Sequence, residues 1–201
     1  VRIESLFEIG RPAPAPRPAP VAKKYYRGAE IEGAFPPVEY LFKDLIPSVD
    51  VTLWIGGFDA GKTVATVGLA MSAAAGRDWC GYAYTSAKTL TVIYFAGESH
   101  ELTAEYAAAY AQHELKEWPE RFFLSPSAPN LLDPDDVAAT IAEIDELRAG
   151  GPCLIVGDSF SRMSALGEDR NNEAEVQRIM NAARDLAAAT DAAFLVLGHP
   201  T

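Results

Sequence analysis

Residues Val51–Thr63 read "VTLWIGGFDAGKT". The second part of this stretch, Gly56-Gly57-Phe58-Asp59-Ala60-Gly61-Lys62-Thr63, fits the G-x-x-x-x-G-K-[ST] spacing of a phosphate-binding loop. Its context fits as well. A short apolar run, "VTLWI" (51–55), precedes the loop, and an Ala-rich helix is expected after it, over about 62–75. Backbone N–H groups of such a loop converge on phosphates, and the following helix N-terminus adds positive partial charge. Gly56, Gly57, Phe58, Asp59, Ala60, Gly61, Lys62, Thr63 and Val64 are therefore the expected nucleotide contacts. Lys62 would reach the β- and γ-phosphates, and Thr63 would hold Mg²⁺. The irregular letter is Asp59. Its position often carries glycine in these loops, which points to a left-handed backbone that Asp tolerates better than most residues. Its carboxylate must then face away from the phosphates. The plain alternative is a glycine turn with a solvated lysine.

Outward from the loop, from about residue 40, strand and helix patterns alternate. "LTVIYFA" (90–96), "RFFL" (121–124), "CLIVG" (153–157) and "AAFLVLG" (192–198) read as strands. Helices are expected over 101–115, from Asp133 to Gly150-Gly151, and over 172–189. The second of these has a strong start: Asp133 as N-cap, Pro134 at the first helical position, then Asp135 and Asp136 in the first turn. Val137, Ile141, Ile144 and Leu147 follow at helical spacing. In the last helix Val176, Ile179, Met180, Ala183 and Leu186 share a face. Continuously apolar strands separated by amphipathic helices imply an α/β fold, a mostly parallel sheet with helices on both faces.

Ligands of such sheets bind at the carboxyl ends of the strands. That rule selects Asp59 to Thr63, Glu98, Asp158 and His199. Asp158 ends "CLIVGD", where a carboxylate can hold Mg²⁺ through water beside Thr63; the alternative is a strand-end Asp capping the next turn. Glu98 follows "VIYFAG" and could orient and deprotonate an attacking water; a solvated loop Glu is its alternative, and Glu101 and Glu105 lie nearby on the helix. His199, in "GHPT", could sense the γ-phosphate, against the reading of an ordinary loop histidine. His100 and His113 have no metal-ligand partners at useful spacing and read as surface residues.

In order along the chain, "LWIGGFDAGKT", "VIYFAGES", "NLLDPDDV", "LIVGDSFSRM" and "LVLGHPT" resemble the RecA-like ATPases of the plasmid replication helicase RepA type, often described as AAA-type ATPases of phages and mobile elements. The resemblance covers about residues 40–201. It implies a RecA-like P-loop NTPase core that binds ATP with Mg²⁺ and hydrolyses it in a hexameric ring, each site completed by a neighbour. It also implies Lys62 and Thr63 on phosphates and metal, Glu98 as catalytic base, Asp158 as the metal-side acid and His199 as γ-phosphate sensor. The segment 161–175, "SRMSALGEDRNNEAE", matches in position a loop that contacts single-stranded DNA in the central channel. Gly157 stands where the family has a bulky residue. The family's arginine finger lies beyond the sensor His, hence after Thr201. The chain begins with Val1 and stops at "LGHPT", and is expected to be trimmed at both ends.

Charge qualifies the DNA partner. Residues 1–28 hold six basic groups against two acids, so the remainder accounts for more than the whole net charge of −11. A core this acidic has no general nucleic-acid footprint. Within 161–175, Arg162 and Arg170 face Glu168, Asp169, Glu173 and Glu175, which is poor phosphate-binding chemistry. A RecA-like switch acting on protein partners is therefore the alternative to a helicase or helicase loader. A small-molecule kinase is a third reading, and Glu98 argues against it, because such an enzyme should avoid activating water.

The arm at 1–39 carries the Pro/Ala tract "GRPAPAPRPAP" (10–20), which favours extended polyproline II and reads as a semi-stiff linker. "VRIESLFEI" before it has apolar residues of its own, suited to docking on this domain or a neighbouring subunit. Cys80 and Cys153 do not make a secreted disulfide scaffold. No run approaches the ~18 apolar residues of a membrane span, and the start lacks a signal-peptide pattern. A cytoplasmic protein with no membrane partner is expected.

Overall fold

The computed structural model describes residues 25–35, 37–164 and 173–199. The segment 1–9, the Pro/Ala tract and most of the proposed DNA loop (165–172) lie outside the described residues. The chain divides into two compact units, Val1–Pro37 and Val38–Thr201. In the first, helix α1 (Gly28–Ala34) begins with the Arg27 backbone N–H donating to Glu30 Oε2 at 3.1 Å. Tyr26 and Phe35 meet edge to face.

The second unit opens with a two-stranded antiparallel ribbon, β1 (Tyr40–Phe42) and β2 (Ile46–Pro47), that the sequence reading did not anticipate. Then come β3 (Val51–Ile55), α2 (Lys62–Ala74), β4 (Thr91–Ala96), α3 (His100–Tyr110), β5 (Phe122–Ser125), α4 (Pro134–Arg148), β6 (Cys153–Asp158), α5 (Glu173–Thr190) and β7 (Ala192–Gly198). The five strands β3 to β7 form one parallel sheet in the order β3-β7-β6-β4-β5. This is the α/β architecture of a P-loop NTPase core.

Each inner strand is apolar on both sides because each side has its own core. In β4, Val92, Tyr94 and Ala96 face α2 and α3, while Ile93 and Phe95 face α4 and α5. In β6, Leu154 and Val156 take the first side, Cys153 and Ile155 the second. The period of two along a strand produces this division. All nine residues from Thr66 to Ala74 of α2 are buried.

Several expectations are corrected at the margins. The helix expected over 101–115 is α-helical only to Tyr110; Ala111–Leu115 is a π-helical turn closed by Lys116 at φ +70°. Helix α4 starts as read, with Asp133 Oδ1 accepting from the Asp135 N–H at 3.0 Å. Its end differs: Ala149 itself takes the left-handed position at φ +48°, and Gly150 follows at +77°. On α5, Ile179, Ala183 and Leu186 are buried, but Val176 is exposed.

Candidate functional site

The loops after β3, β4, β6 and β7 meet at the carboxyl end of the sheet, and they bring every singled-out site residue to one place. The phosphate loop is folded by two left-handed residues. Asp59 sits at φ +58° and Gly61, the N-cap of α2, at φ +78°. At Gly61 a side chain would strain the backbone. Asp59 accepts the same strain, the left-handed backbone that the sequence pointed to, and is exposed.

Lys62 folds back across this loop. Its Nζ donates to the carbonyls of Gly56 and Gly57, each at 2.8 Å, and lies 3.3 Å from His199 Nδ1. The ammonium is thus held where the loop's own oxygens stand in for phosphate. Because lysine only donates, Nδ1 must accept, which places the ring proton of a neutral His199 on Nε2. That Nε2 faces Glu98 Oε1 at 3.6 Å, with the imidazole only 9% exposed and the Glu98 side chain 35%. Phe58, itself 72% exposed, stacks on the imidazole with centroids 4.2 Å apart and planes 19° apart.

At the end of β6, Asp158 Oδ2 accepts from Thr63 Oγ1 at 2.9 Å and from the Tyr94 hydroxyl at 3.0 Å. Burial pushes the Asp158 carboxyl above its ordinary range. Thr63 and Tyr94 oppose that rise, Glu98 adds to it, and Lys62 opposes it. Burial also raises the Tyr94 phenol, which therefore stays protonated and donating. Beyond Asp158, Ser159 is buried and its hydroxyl donates to Glu98 Oε1.

Gly157, where a bulky residue was expected, has a local reason. A Cβ there would lie 1.7 Å from Met163 Cε and 3.3 Å from Phe194 Cε2. Met163, fully buried, supplies from the next turn the volume that the strand position gives up. Sequence reasoning did not single out Tyr94, Ser159, Met163 or the pairing of Phe58 with His199. Tyr94 left one signal: it is the polar-tipped letter in the middle of the apolar run Val92–Ala96 of β4.

The arrangement fits a nucleotide and its metal. An ammonium, a hydroxyl and a helix N-terminus converge beside a carboxylate that a cation would relieve. Among the described residues no group of three or more His, Cys, Asp or Glu converges on a metal site. Chelation would thus rest on Thr63, Asp158 and the nucleotide's own oxygens. His100 and Glu101 pair at 3.2 Å on the exposed start of α3, and His113 is exposed. Cys80 is free and exposed, and Cys153 is free and buried. No helix of the described residues is long and apolar enough to cross a membrane.

This sheet order and loop are those of a P-loop NTPase. A family model described as AAA domain (AAA_25) matches residues 17–201, and the chain belongs to that family of AAA-type P-loop ATPases. No curated protein matches it.

Proposed function

We propose that the chain is the ATP-binding and ATP-hydrolysing core of a RecA-like motor of the RepA type, a replicative-helicase-like or helicase-loader ATPase that acts on DNA as a hexameric ring. The observation that carries the ATPase part is the convergence of Lys62, Thr63, Glu98, Asp158 and His199 at one end of the sheet. The motor part rests on the order of the motifs along the chain.

Each residue then has a role. On nucleotide binding, Lys62 exchanges the carbonyls of Gly56 and Gly57 for phosphate oxygens. The loop N–H groups beyond Gly56, as far as Val64, line the same phosphates, while the Gly56 N–H is held by the Gly198 carbonyl at 3.2 Å. Thr63 and Asp158 would hold Mg²⁺, which supplies charge neutralisation at the phosphates when bound. Glu98 takes the proton of the attacking water. His199, released from Lys62 when the ammonium leaves, reports the γ-phosphate by donating a ring N–H to it. Single-stranded DNA would be held by the segment 161–175.

A second reading, an ATP-controlled switch acting on protein partners, is favoured by the acidity of the core and by the four acids against two arginines in that segment. Steady-state ATP hydrolysis of the longest natural form of the chain separates the two, measured with and without single-stranded DNA beside Lys62→Ala and Glu98→Gln. A DNA-stimulated rate lost in both variants supports the motor. A rate lost in both but indifferent to DNA supports the switch. A rate that survives both substitutions overturns the site assignment.

A further inference from the structure

We infer that Ser159 is a positioning residue that holds Glu98 in its water-activating orientation, with Ser161 orienting the Ser159 hydroxyl in turn. The inference rests on the reading of Glu98 as the base for ATP hydrolysis.

Glu98 needs an anchor. It extends from the loop beyond β4, and its side chain is about one-third exposed. A carboxylate so placed samples several rotamers unless something ties it. Ser159 provides the tie from just beyond the neighbouring strand β6. Its hydroxyl donates to Glu98 Oε1, and the residue is 1% exposed. The backbones that carry the two residues are joined as well, through the Gly97 N–H to the Asp158 carbonyl at 2.7 Å.

Two details make the contact more than incidental. Ser159 is the N-cap of the short 3-10 turn Phe160–Arg162, a position where serine ordinarily turns its oxygen to the backbone of the turn. Here the side chain makes no cap hydrogen bond; its hydroxyl goes to Glu98 instead. Second, Ser159 Oγ lies 3.1 Å from Ser161 Oγ. A serine hydroxyl carries one proton. Since Ser159 gives its proton to the carboxylate, Ser161 must donate to Ser159, and the relay runs Ser161 to Ser159 to Glu98. His199 Nε2 approaches the same Oε1. Both contacts on Oε1 leave Oε2 for the water.

The test uses the full chain, with Ser159→Ala, Ser161→Ala, Glu98→Ala and the double variant Ser159→Ala/Glu98→Ala. Ser159→Ala is expected to lower kcat by roughly ten- to a hundredfold, the worth of one hydrogen bond to a charged group. KM and the nucleotide-induced rise in Tm stay at their wild-type values. In the double variant, kcat falls no further than in Glu98→Ala, because Ser159 acts only through Glu98. Ser159→Thr, which returns the hydroxyl, recovers activity. An unchanged kcat in Ser159→Ala overturns the inference, and so does an equal loss in the presence and absence of Glu98. If Ser159→Ala fails to fold, Ser161→Ala decides: a smaller loss in kcat alone supports the relay, and wild-type kcat overturns it. The two levels fail differently. A wild-type chain without ATP hydrolysis removes the underlying reading and this inference together. A chain that hydrolyses ATP and needs Glu98, but is indifferent to Ser159, removes this inference alone.

Discussion

The two ends of β6 are both buried and both polar, yet they are built for opposite purposes. At the amino end, Arg121 from the start of β5 donates twice to Thr91 Oγ1, at 3.0 and 2.7 Å, and once to the Arg148 carbonyl at 2.9 Å. Cys153 beside it is pushed up to about 12 by burial, and its thiol stays neutral. Every contact there closes the fold on itself. At the carboxyl end, Lys62 holds loop carbonyls, and Thr63 holds a carboxylate that burial has already made reluctant to ionise. These contacts are of kinds that phosphate and a cation replace with stronger ones. A fixed charge is satisfied internally where the protein needs a clamp, and provisionally where it needs a ligand.

This contrast is broken most sharply by paired substitutions. Glu98→Gln at the carboxyl end should lower kcat for ATP by roughly 10²–10⁴-fold, the span of general-base catalysis, with Tm unchanged by calorimetry. Arg121→Ala at the amino end should do the reverse. It removes the donors to the Thr91 hydroxyl and one of the two donors to the Arg148 carbonyl, which keeps the Gly151 N–H at 2.9 Å, at a cost of about 1–3 kcal/mol in urea unfolding, and kcat stays near wild type. A large loss of kcat in Arg121→Ala would show that the two ends are coupled.

A pH series sharpens the comparison. Asp158 has its folded-state pKa raised, so the folded protein binds its proton more tightly than the unfolded chain does. Its contribution to stability is therefore fully present below the unfolded value near 3.8 and is lost as pH rises through the raised folded value. Asp158→Asn removes this dependence. The Tm of the wild type relative to Asp158→Asn should climb as pH is lowered through that window; a flat difference would mean that Asp158 is not desolvated. The smallest effect is expected at Asp59. Asp59→Gly removes a strained left-handed non-glycine residue and an acid near the phosphates, so ATP should bind at least as tightly by titration. A large loss of affinity would assign Asp59 a specific role.

The loop, the strands and the set Lys62, Thr63, Glu98, Asp158 and His199 were legible in the sequence because their causes are local. A glycine pattern dictates a turn, and an apolar run dictates a buried strand. A polar residue at the end of such a run has nowhere to go but the strand tip. Helix boundaries were legible where a cap is written in letters, as at Asp133-Pro134. The end of α4 was not legible, because Ala149 adopts a left-handed backbone that propensity argues against, and neither was the change from α- to π-helix after Tyr110, although the end of that helical segment at Leu115 was read correctly. Val176 belonged to the apolar periodicity of α5 and yet is exposed, since periodicity does not say how far along the helix the sheet extends.

By itself the sequence determined a parallel α/β sheet with a phosphate loop at its carboxyl end, since both follow from short-range patterns of size, charge and backbone freedom. Only the tertiary structure decided which side chains share atoms. Tyr94 with Asp158 and Ser159 with Glu98 are each more than 60 residues apart along the chain, and Met163 fills the volume left open at Gly157. Such pairings depend on strand order and on the volume left between strands, quantities that no local pattern encodes.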